Sequence, residues 1–357
     1  SAVVGTLLIG FLSNLPLAQA SGMGLNAYFV YTVCVGMGLS YTNALVLVLF
    51  DGVIFVLLTV TGLRKLIFDA IPHSVKVAIS AGIGLFIAFI GLQNAGIVVN
   101  SSSTCVTLHS FNVFTGTETW ATIFPMLITI LAVFAIGAMS KKKVRGAVLW
   151  GILGAAVVYY AVGLLTVPGF YASAVAPNLT SDFFGAFRDF GTQSFLAVFK
   201  TGFDFSAYID ANGVGPFVIM LLTTMLAFCM VDMFDTLGTL YGACSAGGLL
   251  DKDGNVPNMD RAMLADACAT CVGAACGTST VTTFVESSAG VAEGGRTGLS
   301  SMATAAMFFI AMFLSPVAQL IPTYACAAAL IYVGVLMMSN VRNIDWDDPA
   351  AAVTGFV

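Results

Sequence analysis

An all-α protein that crosses the membrane many times is the class this sequence predicts, and three observations carry the prediction. Hydrophobic residues make up 59% of the 357 and charged residues only 9%, with a mean hydropathy of +0.97. That leaves too little polar surface to clothe a water-soluble globule. The apolar residues also run in stretches of about 17 to 25, the length that spans a bilayer as a helix. Finally, carboxylates stand inside two such stretches, in Val231-Asp232-Met233-Phe234-Asp235-Thr236-Leu237-Gly238-Thr239 and in Thr278-Ser279-Thr280-Val281-Thr282-Thr283-Phe284-Val285-Glu286-Ser287-Ser288-Ala289-Gly290. An ionisable group at bilayer depth is costly unless it faces a cavity, a partner or a ligand, so these residues are functional candidates.

In chain order the predicted spans fall near Val3 to Leu17, Asn26 to Met37, Thr42 to Leu63, Val75 to Val98, Trp120 to Met139, Gly146 to Val167, Val214 to Val231, Arg261 to Ala275, Thr280 to Ala292, Gly298 to Ile321 and Tyr324 to Met338. The second, eighth and ninth are too short or too rich in glycine to be ordinary spans. The net charge of −5 says little, because orientation follows the placement of Lys and Arg rather than their sum. If the spans alternate, Arg64, Lys65, Lys76, Lys141, Lys142, Lys143, Arg145, Lys252, Arg261, Arg296 and Arg342 share one side, eleven of the thirteen basic residues. That side is expected to be the cytoplasm, and the plasma membrane the location, with the loops from Asn100 to Thr119 and from Pro168 to Asn212 facing outward. The basic run Lys141-Lys142-Lys143-Val144-Arg145 reads as an anchor at anionic lipid, so the bilayer is a partner and nucleic acid is not.

Eight cysteines are scattered, mostly in spans, which implies no disulfide framework. Cys268-Ala269-Thr270-Cys271 has redox-motif spacing, but in an Ala-rich helix small-residue packing explains it. His73 and His109 fall in predicted loops and are not intramembrane relays. No cleavable signal peptide is evident, since Ser1 leads almost directly into an apolar span.

Gly22-Met23-Gly24-Leu25-Asn26-Ala27-Tyr28-Phe29-Val30 echoes Gly277-Thr278-Ser279-Thr280-Val281-Thr282-Thr283-Phe284-Val285. Each opens on Gly, has a polar middle and reaches Phe-Val at the same offset. Such paired interruptions point to a transporter's midplane site. Gly, Thr, Ser and β-branched residues disfavour helix and suit short extended backbone. One strand from each half would pair inside the protein, where backbone freed from a helix is tolerated. The helices that follow would aim their positive N-terminal dipoles at the membrane centre.

These three motifs, with the run on through Gly290-Val291-Ala292-Glu293-Gly294-Gly295-Arg296-Thr297-Gly298, resemble the azaguanine-resistance branch of the nucleobase/cation symporter family 2, over nearly the whole chain. The resemblance implies inverted repeats of seven helices, split into core and gate domains, with short strands interrupting helices three and ten. On that pattern residues 1–68 begin the core (helices two to four), 69–212 are the first gate part with a long outer loop, 213–320 complete the core (helices eight to eleven) and 321–357 open the second gate part. Helices one, thirteen and fourteen are expected to be missing from the chain.

The same resemblance places Asn26 on helix three, Asp235 on helix eight and Glu286 on helix ten as purine ligands, joined by Gly24 and Thr283. Two carboxylates, an amide and free backbone N–H groups match the donors and acceptors on one purine edge. Phe29 or Phe284 would stack on the ring, unless they serve the core. Asp232, three residues before Asp235, shares its helix face roughly and would influence its ionisation. The implied function is proton-coupled uptake of adenine, guanine or hypoxanthine by alternating access. Asp235, Glu286 and Asp232 would carry the coupling proton, with no metal and no cofactor, and a homodimer is an expected assembly. The alternative is an anion carrier or channel of the same architecture, for which cations rather than carboxylates would be expected at the half-helix ends. An intramembrane enzyme is disfavoured by the lack of a His or Cys cluster, a nucleophile elbow and a nucleotide-binding loop. Asp51 at mid-span suits packing as well as transport, and Glu293-Gly294-Gly295-Arg296 reads as an inner loop with an ion pair.

Overall fold

In the computed structural model the described residues are all of the chain except 23, 24, 27, 63–72, 113–117, 179–184, 253, 285, 345, 350, 351 and 354–357. The first helix is α1 (Ala2–Ser13), which ends at Asn14 in the left-handed region and is followed by β1 (Gln19–Ser21). A π-helical segment, Tyr28–Gly36, then occupies the second predicted span. Its β-branched and aromatic run resists regular α-helix. Helix α2 (Tyr41–Val60) starts at Ser40, whose hydroxyl accepts from the Asn43 N–H at 3.1 Å, a standard N-cap.

Helix α3 (His73–Asn94) follows, so His73 opens a helix rather than lying in a loop. After it β2 (Val98–Ser101) and β3 (Cys105–Leu108) form an antiparallel hairpin inside the predicted outer loop. Val98, Val99, Val106 and Thr107 supply the strand-forming residues, and Cys105 takes the positive φ of the turn. Next come α4 (Trp120–Lys141), α5 (Ala147–Thr166) and α6 (Val214–Ala246). At 33 residues and a rise of 1.5 Å each, α6 is about 50 Å long. It runs unbroken through Asp232 and Asp235, well past the predicted end at Val231. The chain continues with α7 (Met259–Cys276), β4 (Val281–Thr283), α8 (Ser287–Ala292), α9 (Gly298–Phe313) and α10 (Thr323–Met337). Among the described residues four helices, α2, α4, α5 and α6, are long and apolar enough to cross a membrane, with α1, α9 and α10 as shorter apolar helices.

The chain divides into two compact units. The first holds Ser1–Ser80, Phe184–Met312 and Asn343–Val357, and the second Ala81–Phe183 and Phe313–Arg342. These cuts differ from those expected at 68/69, 212/213 and 320/321. Residues 185–212 go with the first unit because they are tied to α2 and α7: Asn43 Nδ2 donates to Gly202 O at 2.8 Å and to Asp204 O at 2.7 Å, and the Leu196 N–H donates to Ala275 O. Gly277, at φ 82° just past α7, lies so close to Tyr41 and Ser194 that any side chain would collide with them.

In the first unit α1 crosses α9 at Gly10, Gly298 and Ser301, with Ser301 Oγ donating to the carbonyls of Leu15 and Leu17. Small residues let helices approach closely where lipid offers no hydrophobic drive to associate. Two cores fill this unit, one around Ile9, Phe55, Leu237, Leu240 and Met263, the other around Phe29, Leu45, Leu47 and Phe228. In the second unit α4, α5 and α10 enclose Phe124, Tyr159, Phe170 and Ala328, and Thr129 Oγ1 ties α4 to Tyr324 O at 3.0 Å.

Candidate functional site

The site is built on the pairing of two strands that lie 262 positions apart at their centres (Ala20 and Thr282). β1 and β4 run antiparallel with Gln19 opposite Thr283, Ala20 opposite Thr282 and Ser21 opposite Val281. The ladder is extended at both ends, by Phe284 N–H to Ala18 O and by Gly22 N–H to Thr280 O. Ser287 Oγ, at the start of α8, accepts from the Ala18 N–H at 2.9 Å, and Thr270 Oγ1 of α7 donates to Val281 O at 3.0 Å. Backbone polar groups freed by the helix break are thus satisfied inside the protein. β4 lies within the predicted Gly277 to Val285 stretch, whereas β1 ends at Ser21, just ahead of the Gly22 to Val30 stretch.

Thr282 donates from Oγ1 to Asp235 Oδ2 at 3.1 Å, which fixes the half-buried carboxylate of α6 against β4. Gly22 passes so close that a Cβ there would sit 3.1 Å from Thr282 Oγ1 and 3.5 Å from Asp235 Oδ2. Asn26 is exposed, its N–H bonded to Gly22 O at 2.8 Å, and its Oδ1 receives the hydroxyls of Ser21 at 2.6 Å and Ser279 at 2.5 Å. Glu286 stands half-buried at the N-cap of α8, and Asp235 feels the charges of both Glu286 and Asp266. Asn26, Asp235, Glu286 and Thr283 are therefore gathered around one strand pair, while Gly24 lies outside the described residues.

The two phenylalanines part company. Phe29 is only 4% exposed, packed in the second core with its ring edge-on to Tyr41 at 6.0 Å. Phe284 is half-buried next to β4. Asp232 is fully buried in α6. Asp51 is also fully buried, in α2 beside Cys271 of α7. Arg296 donates from Nη1 to Val291 O at 2.6 Å and Gly295 O at 2.8 Å, covering the carbonyl end of α8, the end that favours a cation. His109 lies in the loop between β3 and α4, 3.6 Å from Glu118. Among the described residues no cluster of three or more His, Cys, Asp or Glu could hold a metal ion.

Sequence reasoning missed a polar cluster on the other face of β4. Gln19 Nε2 donates to Asp266 Oδ1 at 3.3 Å and to Thr283 Oγ1 at 3.5 Å, Thr236 Oγ1 donates to Asp266 Oδ2 at 2.8 Å, and Thr6 Oγ1 exchanges hydrogen bonds with the backbone of Gln19. Asp266 and Gln19 are both 0% exposed. Asp266 did carry a signal, a carboxylate within the apolar stretch from Arg261 to Ala275. Ser279 and Thr282 lie within the interrupted stretch from Gly277 to Val285, whereas Gln19 and Ser21 carried no signal beyond being polar.

Over residues 1–356 the chain matches the xanthine/uracil permease model, the Permease family, and it belongs to that family. It is 40% identical to the "Putative permease MJ0326" of Methanocaldococcus jannaschii, with 100% of this chain and 74% of that protein covered. It is 34% identical to the adenine permease AdeQ of Escherichia coli, covering 100% of this chain and 72% of AdeQ. To the guanine/hypoxanthine permease PbuG of Bacillus subtilis it is 37% identical, again over 100% of this chain and 73% of the relative. Among solved structures, the transmembrane domain of the cyanobacterial bicarbonate transporter BicA superposes with a TM-score of 0.63 over 99% of this chain and 84% of that one, at 14% identity. The mostly helical, polytopic membrane fold is shared with that domain. The protein is an integral membrane permease, a transporter and not an enzyme.

Proposed function

We propose that this permease carries purine nucleobases, of the adenine, guanine and hypoxanthine class, into the cell by proton symport. The observation that carries the reading is Asp235 held by Thr282 at the β1–β4 pair, next to the exposed amide of Asn26. The names of the adenine and guanine/hypoxanthine permeases among its relatives support the same substrate class. Asp235 and Glu286 accept the N–H donors of the base, Asn26 and backbone groups near Gly24 and Thr283 complete its polar edge, and Phe284 covers its face. The ionisable neighbours of Asp235 are carboxylates, which suits a neutral, N–H-bearing ligand better than an anion.

Coupling needs only these acids. A carboxyl group in a desolvated site takes up a proton more readily and releases it when opened to water, so Asp235 and Glu286, with Asp232 close by, carry the proton. In this reading the first unit is the core that holds the base and the second is the gate, on the plan of inverted seven-helix repeats with β1 and β4 in helices three and ten. The protein lies in the plasma membrane with its basic loops in the cytoplasm. The test is uptake of radiolabelled hypoxanthine by cells lacking purine uptake of their own. Glu286→Gln is expected to abolish uptake while membrane insertion persists, and a protonophore to collapse the wild-type signal. Wild-type uptake by the Glu286→Gln variant would overturn the site.

A further inference from the structure

Asn26 has one side that is satisfied and one that is open. Its Oδ1 receives Ser21 Oγ at 2.6 Å and Ser279 Oγ at 2.5 Å, while the two hydroxyls lie 3.3 Å from each other. An amide oxygen has two lone pairs, and here both are taken by hydroxyl protons, one from the end of β1 and one from the segment leading into β4. The backbone N–H of Asn26 is fixed as well, on Gly22 O at 2.8 Å. Among the described residues nothing accepts from Nδ2, and the side chain is exposed. The amide therefore faces open space with donors only.

We propose that Ser21 and Ser279 are positioning residues that determine specificity: together they lock the Asn26 amide with its N–H groups outward, so that the site demands a hydrogen-bond acceptor on the base at that point. The proposal deepens the functional reading above and rests on it. The carboxylates of Asp235 and Glu286 accept, Asn26 donates, and a ligand must present both patterns in register. A free asparagine would turn its oxygen or its nitrogen to the ligand as needed and would not discriminate. With two hydroxyls donating to one oxygen, a flip of the amide would need both to reverse from donating to accepting at once, which holds the orientation at the cost of ordering both serines.

Competition against radiolabelled hypoxanthine uptake tests the lock. The competitors are hypoxanthine itself and analogues that each lose or weaken one acceptor and keep N1–H: the 3-deaza and 7-deaza compounds and the 6-thioxo compound, whose sulfur accepts more weakly than the 6-oxo group. In the wild type at least one analogue should compete about fivefold to tenfold less well than hypoxanthine, the value of about one hydrogen bond. In Ser21→Ala/Ser279→Ala that ratio should fall to about threefold or less, with uptake retained and the KM raised. Ser21→Thr and Ser279→Thr, which keep the hydroxyls, should restore it. Asn26→Asp, which can only accept, should lose the discrimination too. If the double variant does not reach the membrane, Ser279→Ala alone should show a reduced ratio.

Unchanged discrimination in a serine variant that transports overturns the lock and leaves the substrate class standing. Equal competition by every analogue in the wild type also overturns it. A wild type that takes up no purine at all removes the functional reading, and the lock falls with it.

Discussion

Thr282 and Thr283 are neighbours in β4 yet bond on opposite faces of it, Thr282 to the Asp235 carboxylate at 3.1 Å and Thr283 to the Gln19 amide at 3.5 Å. Strand alternation imposes this division. It places two carboxylates from different helices, Asp235 of α6 and Asp266 of α7, on either side of one short strand. Thr236, next to Asp235 on α6, donates to Asp266 at 2.8 Å, so the half-buried acid of α6 and the buried acid of α7 are linked by one peptide unit and one hydrogen bond.

Thr282→Val removes the hydroxyl on Asp235 and keeps the shape and strand propensity of the side chain. The carboxylate loses its positioning bond, worth about 1 kcal/mol. A KM for hypoxanthine raised about fivefold, at unchanged expression, is expected in an uptake assay.

Asp266→Ala leaves the Thr236 hydroxyl and one N–H of the Gln19 amide without their acceptor in a buried interior. Each unsatisfied group costs about 1 to 3 kcal/mol. Thermal unfolding of the detergent-purified protein should show Tm lowered by about 4 °C or more, with Asp266→Asn intermediate.

Gly298→Ala puts a methyl group into the Gly10 carbonyl where α1 crosses α9. The obstacle is backbone, so it cannot rotate away, and helix association in a membrane depends on such close approach. Size-exclusion chromatography should find the folded, monodisperse species strongly reduced, and Gly38→Ala, with nothing nearby but a positive φ, less affected.

Asp204, in the segment between α5 and α6, has its carboxyl held below the usual range by the Ser206 hydroxyl at 2.6 Å and the Ser206 N–H at 3.1 Å. Because the folded pKa is lowered, the stability it adds is present at neutral pH and is lost as pH falls through that lowered value, below the ordinary 3.8. Ser206→Ala should therefore lower Tm slightly at neutral pH and not at all in strong acid.

Much of the membrane architecture was legible because burial in lipid writes itself into composition and run length. Asp235 and Glu286 stood out as candidates for the same reason, since a carboxylate in an apolar run has few innocent explanations. The strand pair was foreshadowed by the Gly, Thr and Ser of the two interrupted stretches, but its register was not, and β1 begins three residues earlier than the echo at Gly22. Nothing local marks Gln19 as the partner of Thr283, because the two meet only through the fold. The hairpin of β2 and β3 went unread because Val98 closes the preceding apolar run and Asn100, Ser101 and Thr107 occur as readily in polar loops. Asp266 was readable and was passed over in a helix judged by its alanines.

The central claim is that Asp235 is a ligand of the transported base. Equilibrium binding of radiolabelled hypoxanthine to the purified protein tests it directly, comparing wild type with Asp235→Asn and with Asp204→Asn as the control at an exposed position between α5 and α6. The account predicts binding weakened by at least about tenfold in Asp235→Asn, the loss of a charge-assisted hydrogen bond, and unchanged in Asp204→Asn. Wild-type affinity in a folded Asp235→Asn protein would contradict it.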